Sequence, residues 1–191
     1  MFVDRSVREL LDAFASSDPT PGGGSASALA SAAGAALLQM VASLPKTRSN
    51  SDADRAALAS VASALTGVRA QLTEAIDSDS RAYDQVVAAY RLPKATDTEK
   101  AARKSAIQRG LRAATDVPLV VARLSADALK HADAVAAHGH SGASSDVGVA
   151  IELLCAGRRG ALLNVEINLG GIEDTAYVAA VRAEAGRLSA T

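Results

Sequence analysis

From Leu58 to Tyr90 the large apolar residues recur in steps of three and four: Leu58, Val61, Leu65, Val68, Leu72, Ile76, then Val86 and Tyr90. That period admits a single long α-helix and excludes a strand. The helix is expected over Asp52 to Tyr90. At ~1.5 Å per residue it would be on the order of 55 Å long, more than a compact chain of this size covers, so a second subunit is expected against it. Two positions continue the stripe through its gap, Asp79 and Tyr83. Asp79 lies one heptad after Leu72 and one before Val86, so it is expected to face the interior. Burying a carboxylate is costly unless it is paired or hydrogen-bonded, and burial raises its pKa. Position alone leaves open whether Asp79 is a satisfied core group or an acid–base catalyst. Asp77 is turned about 200° away and is expected nearer solvent.

The remaining segments also read as helices, around an aliphatic, alanine-rich core. Hydrophobic residues make up 49% of the 191 residues but aromatics only 3%, a composition that suits close helix-on-helix packing. A first helix spans Arg5 to Ala15. An uncharged second helix runs from Ser25 to Leu44, with Ala26, Ala30 and Gly34 as a small-residue ridge. It is long enough to cross a bilayer but poor in large apolar side chains, and it reads as a buried bundle helix. Thr96 with Glu99 opens a fourth helix as a capping box, its stripe running from Ile107 to Val135, with Pro118 expected to kink or divide it. A Gly/Ser-rich loop from His138 to Ser145 leads to a fifth helix through Val165, stopped at Gly170-Gly171. A last helix carries Val178, Val181, Ala185 and Leu188. The expected fold is one all-α, single-domain helical bundle over residues 1–191, with one long central helix, forming dimers.

Charge and cysteine usage exclude several function classes. With 20 basic and 21 acidic residues and no long run of either sign, the chain has no electrostatic footprint for nucleic acid. No membrane partner is expected. Cys155 is the one cysteine, so no internal disulfide forms; it reads as a buried small hydrophobe in a reducing compartment. No signal peptide is evident at the N-terminus, and the expected location is the cytoplasm. His131, His138 and His140 lack the carboxylate spacing of a metal site, and no metal is expected.

Several segments carry chemistry. Pro21-Gly22-Gly23-Gly24-Ser25 places glycines directly before a helix, where amide donors and the positive end of the dipole are free; the alternative is a plain flexible turn. Lys94 follows Pro93 and is either a helix-end cation or a ligand for an anion. Ser145-Asp146 sits at a helix start, where a cap and an acid are ordinary. Asn164 and Asn168 lie on the face shared with Gly157, Gly160 and Ala161, and two amides there require partners.

In order and spacing, these segments resemble the cyclodeaminase/cyclohydrolase family of one-carbon folate enzymes. The resemblance rests on Pro21-Gly22-Gly23-Gly24-Ser25, on Asp77-Ser78-Asp79-Ser80-Arg81-Ala82-Tyr83, and on Tyr90-Arg91-Leu92-Pro93-Lys94. Ser145-Asp146-Val147-Gly148-Val149-Ala150 and Asn164-Val165-Glu166-Ile167-Asn168-Leu169 complete it. It departs before Ser145, where the family pattern has Gly-Asn and this chain has Gly139-His140. The resemblance implies an all-helical homodimer acting on a folate, with no cofactor beyond the tetrahydrofolate substrate. It implies Asp79 and Tyr83 as proton-handling groups. Gly22, Gly23, Gly24, Ser25, Lys94, Asp146, Asn164 and Asn168 are implied as substrate contacts. Family members either hydrolyse 5,10-methenyltetrahydrofolate to 10-formyltetrahydrofolate or close 5-formiminotetrahydrofolate with loss of ammonia. The sequence shows no formiminotransferase segment, so hydrolysis is the expected direction. The alternative of a different class is a non-catalytic helical dimerisation module in which Asp79 fixes helix register.

Overall fold

The computed structural model describes residues 1–190. Its helices are α1 (Val7–Phe14), α2 (Gly23–Ala42), α3 (Asp52–Tyr90), α4 (Asp97–Leu129), α5 (Ala132–His138), α6 (Ser144–Leu169) and α7 (Thr175–Ala190), with short 3-10 turns at Phe2–Asp4 and Ser141–Ala143. Among the described residues no strand forms; one isolated bridge joins Thr47 to Gly139.

The long helix is present over the expected span. Ser51 caps it, its side chain accepting the Asp54 amide. Leu58, Val61, Leu65, Leu72 and Ile76 are buried as the period requires. Beyond Ile76 the stripe leaves the core: Asp79 and Val86 are half-buried, and Tyr83 and Tyr90 are 41% and 52% exposed. The expectation that the whole stripe faces the interior therefore holds only for its first half.

α2 occupies the centre, packed between α3 and α6. It is the one described helix long and apolar enough to cross a membrane, and Ala28, Ala35, Leu38 and Val41 are fully buried within the protein. Of the expected ridge, Gly34 is buried against α6, Ala30 is half-buried and Ala26 is exposed. Close approach comes from glycines opposite serines. A Cβ on Gly157 would sit 2.0 Å from Ser31 Oγ, and one on Gly160 would sit 2.4 Å from Ser27 Oγ. A Cβ on Gly34 would lie 2.7 Å from Ala150 O and 2.8 Å from Leu154 Cγ. These pairs run in opposite order along the two helices, so α2 and α6 are antiparallel, and the amino end of α2 meets the carboxyl half of α6.

Pro118 does not divide α4, which continues through it with the ring buried. The chain breaks later, at Lys130 and His131, so Val135 belongs to the separate α5. Cys155 is half-buried rather than buried.

Candidate active site at the amino end of the second helix

An α-helix begins with amides that have no partner of their own. In α2 the capping position is Gly22, in extended conformation, which has no side chain to supply a cap. The missing acceptor comes from another helix. Asp79 of α3 accepts the Ser25 amide at 2.8 Å and the Ser25 hydroxyl at 3.1 Å, both on Oδ2. The carboxylate thus caps α2 in trans, at the positive end of its dipole. Among the described residues no acceptor meets the amides of Gly23 and Gly24, which remain free donors beside it.

The glycines are required here by space. A Cβ on Gly24 would lie 2.0 Å from Asp79 Oδ1 and 2.5 Å from its Cγ. Only glycine lets the carboxylate rest on the backbone. Gly23 is flanked from the other side by Asn164 of α6, whose Nδ2 would lie 3.4 Å from a Cβ there. Asn164 Nδ2 donates to Gly160 O at 2.9 Å, leaving its carbonyl oxygen beside the glycine turn. Behind this, Ser25 is wholly buried, with its hydroxyl also 2.7 Å from Ile76 O and 3.3 Å from Ser80 Oγ.

The electrostatics are those of a partly desolvated acid. Burial pushes the Asp79 carboxyl above its ordinary value, and the hydrogen bonds from Ser25 pull it back only in part. A carboxylate so placed is a better match to proton transfer near neutral pH than an exposed one.

The structure brings Gly22, Gly23, Gly24, Ser25, Asp79 and Asn164 together. Tyr83 lies one turn beyond Asp79 and is largely exposed. Asn168 is one turn beyond Asn164, but its amide donates to Ala114 O at 2.7 Å and ties α6 to α4. Lys94 is exposed and lies past the end of α3, where the helix alone has risen roughly 16 Å from Asp79. Asp146 is in the first turn of α6, roughly 27 Å along that helix from Asn164. Neither joins the cluster.

Asp77 is the clearest correction. It is 4% exposed rather than solvent-facing. Its carboxylate accepts the Phe2 amide at 2.6 Å and the Val3 amide at 3.4 Å, because the N-terminal turn folds back over α3. Ser80 was not singled out in the sequence, although it falls four residues after the buried Ile76 and so shares its side of the helix. A separate clasp closes the far end of the bundle. Asp54 accepts from Ser49 and pairs with His138 Nδ1 at 2.8 Å, and the Ser49 bonds hold its carboxyl well below the usual range. Among the described residues no three His, Cys, Asp or Glu side chains converge to hold a metal.

Residues 6–187 match the formiminotransferase-cyclodeaminase family. The chain is 43% identical over 177 residues to a methenyltetrahydrofolate cyclohydrolase of Methylorubrum extorquens, covering 93% of this chain and 85% of that one. It is 34% identical over 180 residues to the formimidoyltransferase-cyclodeaminase of Sus scrofa, covering 94% of this chain but only 33% of that longer protein. The fold matches the crystal structure of a formiminotetrahydrofolate cyclodeaminase from Thermotoga maritima with TM-score 0.86 and 26% identity, over 97% of this chain and 89% of that one.

Proposed function

The chain belongs to the formiminotransferase-cyclodeaminase family, and we propose that it hydrolyses 5,10-methenyltetrahydrofolate to 10-formyltetrahydrofolate with Asp79 as the proton-transfer group. The observation that carries this is the Asp79 carboxylate itself: partly desolvated, without an ion-pair partner among the described residues, bonded to Ser25 and packed against Gly24 beside the free amides of the glycine turn.

In this reading water adds to the cationic carbon between the two folate nitrogens. As the new C–O bond forms, Asp79 takes the water proton on Oδ1, the oxygen not engaged by Ser25. The proton returns to N5 as the C–N5 bond breaks, the carbonyl forms, and the remaining hydroxyl proton leaves to solvent. Before attack, the same carboxylate stabilises the amidinium charge it faces. The Gly23 and Gly24 amides and the Asn164 carbonyl suit the polar edges of the substrate. Tyr83 serves as a proton relay at the rim. Lys94 and Asp146 are left out of the pocket of a single protomer.

Hydrolysis is favoured over ammonia-releasing ring closure because, of the two relatives matched over most of their own length, the cyclohydrolase is 43% identical to this chain and the cyclodeaminase 26%. The closure reaction is the second reading, supported by the match to the Thermotoga cyclodeaminase. We place the enzyme in the cytoplasm as a homodimer with no cofactor beyond its folate substrate. Leu163 and Ile167, 73% and 78% exposed on either side of Asn164 along α6, leave apolar surface beside the site for a second copy to cover.

The test follows the absorbance of 5,10-methenyltetrahydrofolate. Turnover above the spontaneous rate is expected, and Asp79→Asn should lower it about a hundredfold or more. Wild-type turnover in Asp79→Asn would remove the proposed mechanism. Formation of the methenyl compound from 5-formiminotetrahydrofolate, without its hydrolysis, would select the second reading. Sedimentation as a monomer at micromolar concentration would remove the dimer.

A further inference from the structure

Three polar atoms lie within reach of the Ser25 hydroxyl, and it has one proton to give. They are Ile76 O at 2.7 Å, Asp79 Oδ2 at 3.1 Å and Ser80 Oγ at 3.3 Å. Ser80 carries its own proton and can donate to Ser25. The carbonyl and the carboxylate cannot both be served at once.

We propose that the Ser25 hydroxyl is a two-position donor that sets the protonation of Asp79, turned to Oδ2 when the carboxylate is charged and to the Ile76 carbonyl when it is neutral. The inference rests on Asp79 being the proton-transfer group. In the charged state Oδ2 accepts both the Ser25 amide and the Ser25 hydroxyl. In the neutral state the proton sits on Oδ1, Oδ2 keeps the amide, and the hydroxyl swings to Ile76 O. In both states the Ser25 amide and the Ser25 hydroxyl each have an acceptor. Asp79 can therefore gain and lose a proton without moving its carboxylate.

Beside the Ser25 amide and the end of the α2 dipole, the Ser25 hydroxyl is the one side-chain donor that reaches the charge among the described residues. The elements against Asp79 bring uncharged groups: Gly23, Gly24 and Ser25 from α2, and Asn164 from α6 across the glycine turn. On its own helix, Tyr83 is one turn on, and Asp77 is turned away and occupied by the Phe2 and Val3 amides. No cation forms an ion pair with Asp79 among the described residues, and burial and Ser25 are the influences on its titration. Ser25 is thus a positioning residue, acting through Asp79.

The experiment is a carboxyl-carbon NMR titration of the substrate-free protein, beside the pH profile of kcat/KM. In Ser25→Ala the Asp79 titration and the acidic limb of the profile should both move up by about one pH unit, the worth of a hydrogen bond to a charged group. Ser25→Cys keeps a weak donor of similar size and should fall between, which also covers the case in which the alanine variant does not fold. Ser80→Ala removes a neighbouring buried hydroxyl that does not touch Asp79 and should leave the titration in place. An unmoved Asp79 titration in Ser25→Ala or Ser25→Cys, or an equal shift in Ser80→Ala, would overturn the proposal. Failure of the mechanistic reading shows separately, as wild-type turnover in Asp79→Asn, because the NMR titration reads Ser25 without substrate.

Discussion

Replacing Gly24 by alanine inverts the usual expectation for a glycine inside a helix. In the middle of a helix, Gly→Ala gains about 1 kcal/mol from backbone entropy. Gly67, in the middle of α3, has nothing within 4 Å of its would-be Cβ, so Gly67→Ala should realise that gain. For a domain of this size it amounts to a Tm rise of about 2–4 °C. At Gly24 the added methyl would lie 2.0 Å from Asp79 Oδ1, and the carboxylate must retreat about 1.4 Å to restore ordinary contact. Retreat breaks its bonds to the Ser25 amide and hydroxyl at 2.8 and 3.1 Å. Asp79 is half-buried, so its carboxylate can swing toward water, and the lost bonds roughly cancel the entropy gain. Stability should then stay within about 1–2 kcal/mol of wild type, while a catalytic group misplaced by more than about 1 Å costs on the order of a hundredfold in rate. Thermal unfolding and loss of methenyltetrahydrofolate absorbance, measured on both variants, separate the two effects. Wild-type turnover in Gly24→Ala would refute the claim that the carboxylate must rest on this glycine.

Other expectations follow from the same structure. Asp77→Asn puts an amide donor against the Phe2 and Val3 amides; it should cost about 1–3 kcal/mol and expose the N-terminus to proteolysis, with kcat nearly unchanged, and a dead but stable variant would contradict this. Asp79 has a folded-state pKa raised above 3.8, so the native state binds the extra proton. The stability this contributes is complete below pH 3.8 and is lost as pH rises through the folded value. Asp79→Asn should therefore melt higher than wild type at pH 7, the gap closing toward pH 4; a gap that widens on acidification would reverse the sign. Arg158 is 6% exposed with its Nε and Nη1 unpartnered among the described residues, so Arg158→Met should leave Tm unchanged or raise it. A fall of more than about 4 °C would show that the guanidinium has an anionic partner in the assembled protein.

What the sequence made legible was periodic or local. The 3.6-residue stripe located α3, and the Thr96–Glu99 capping box located the start of α4, because both signals lie within a few residues of what they determine. The break at Lys130 and His131 carries neither glycine nor proline, so the stripe through Val135 concealed it. The ridge on α2 is legible only in part, at Gly34 and not at Ala26, for a related reason. Small residues cover every face of that helix, and the packed face is chosen by Gly157 and Gly160 of α6, more than a hundred positions away. The two aspartates show the limit most plainly. A helical wheel placed Asp77 toward solvent because it sees only α3, whereas the Phe2 amide that buries it is 75 positions distant in sequence.

The glycine turn and Asp79 were read as separate signals, 54 positions apart, and the structure makes them one device. A helix start with serine or aspartate at its cap would satisfy its own amides and would have no need of α3. A run of glycines leaves those amides unpaired and removes every Cβ that would hold a carboxylate away. Asp79 fills that vacancy, so the group that completes α2 is also the group left partly desolvated, with one oxygen engaged and one free. The strength of the cap and the readiness of the acid to take a proton are therefore set by the same bonds. A substitution giving α2 its own cap, such as Gly22→Ser, would compete with Asp79 for the Ser25 amide and weaken that coupling. This arrangement accounts for a half-buried acid in a bundle whose other helices could pack without it.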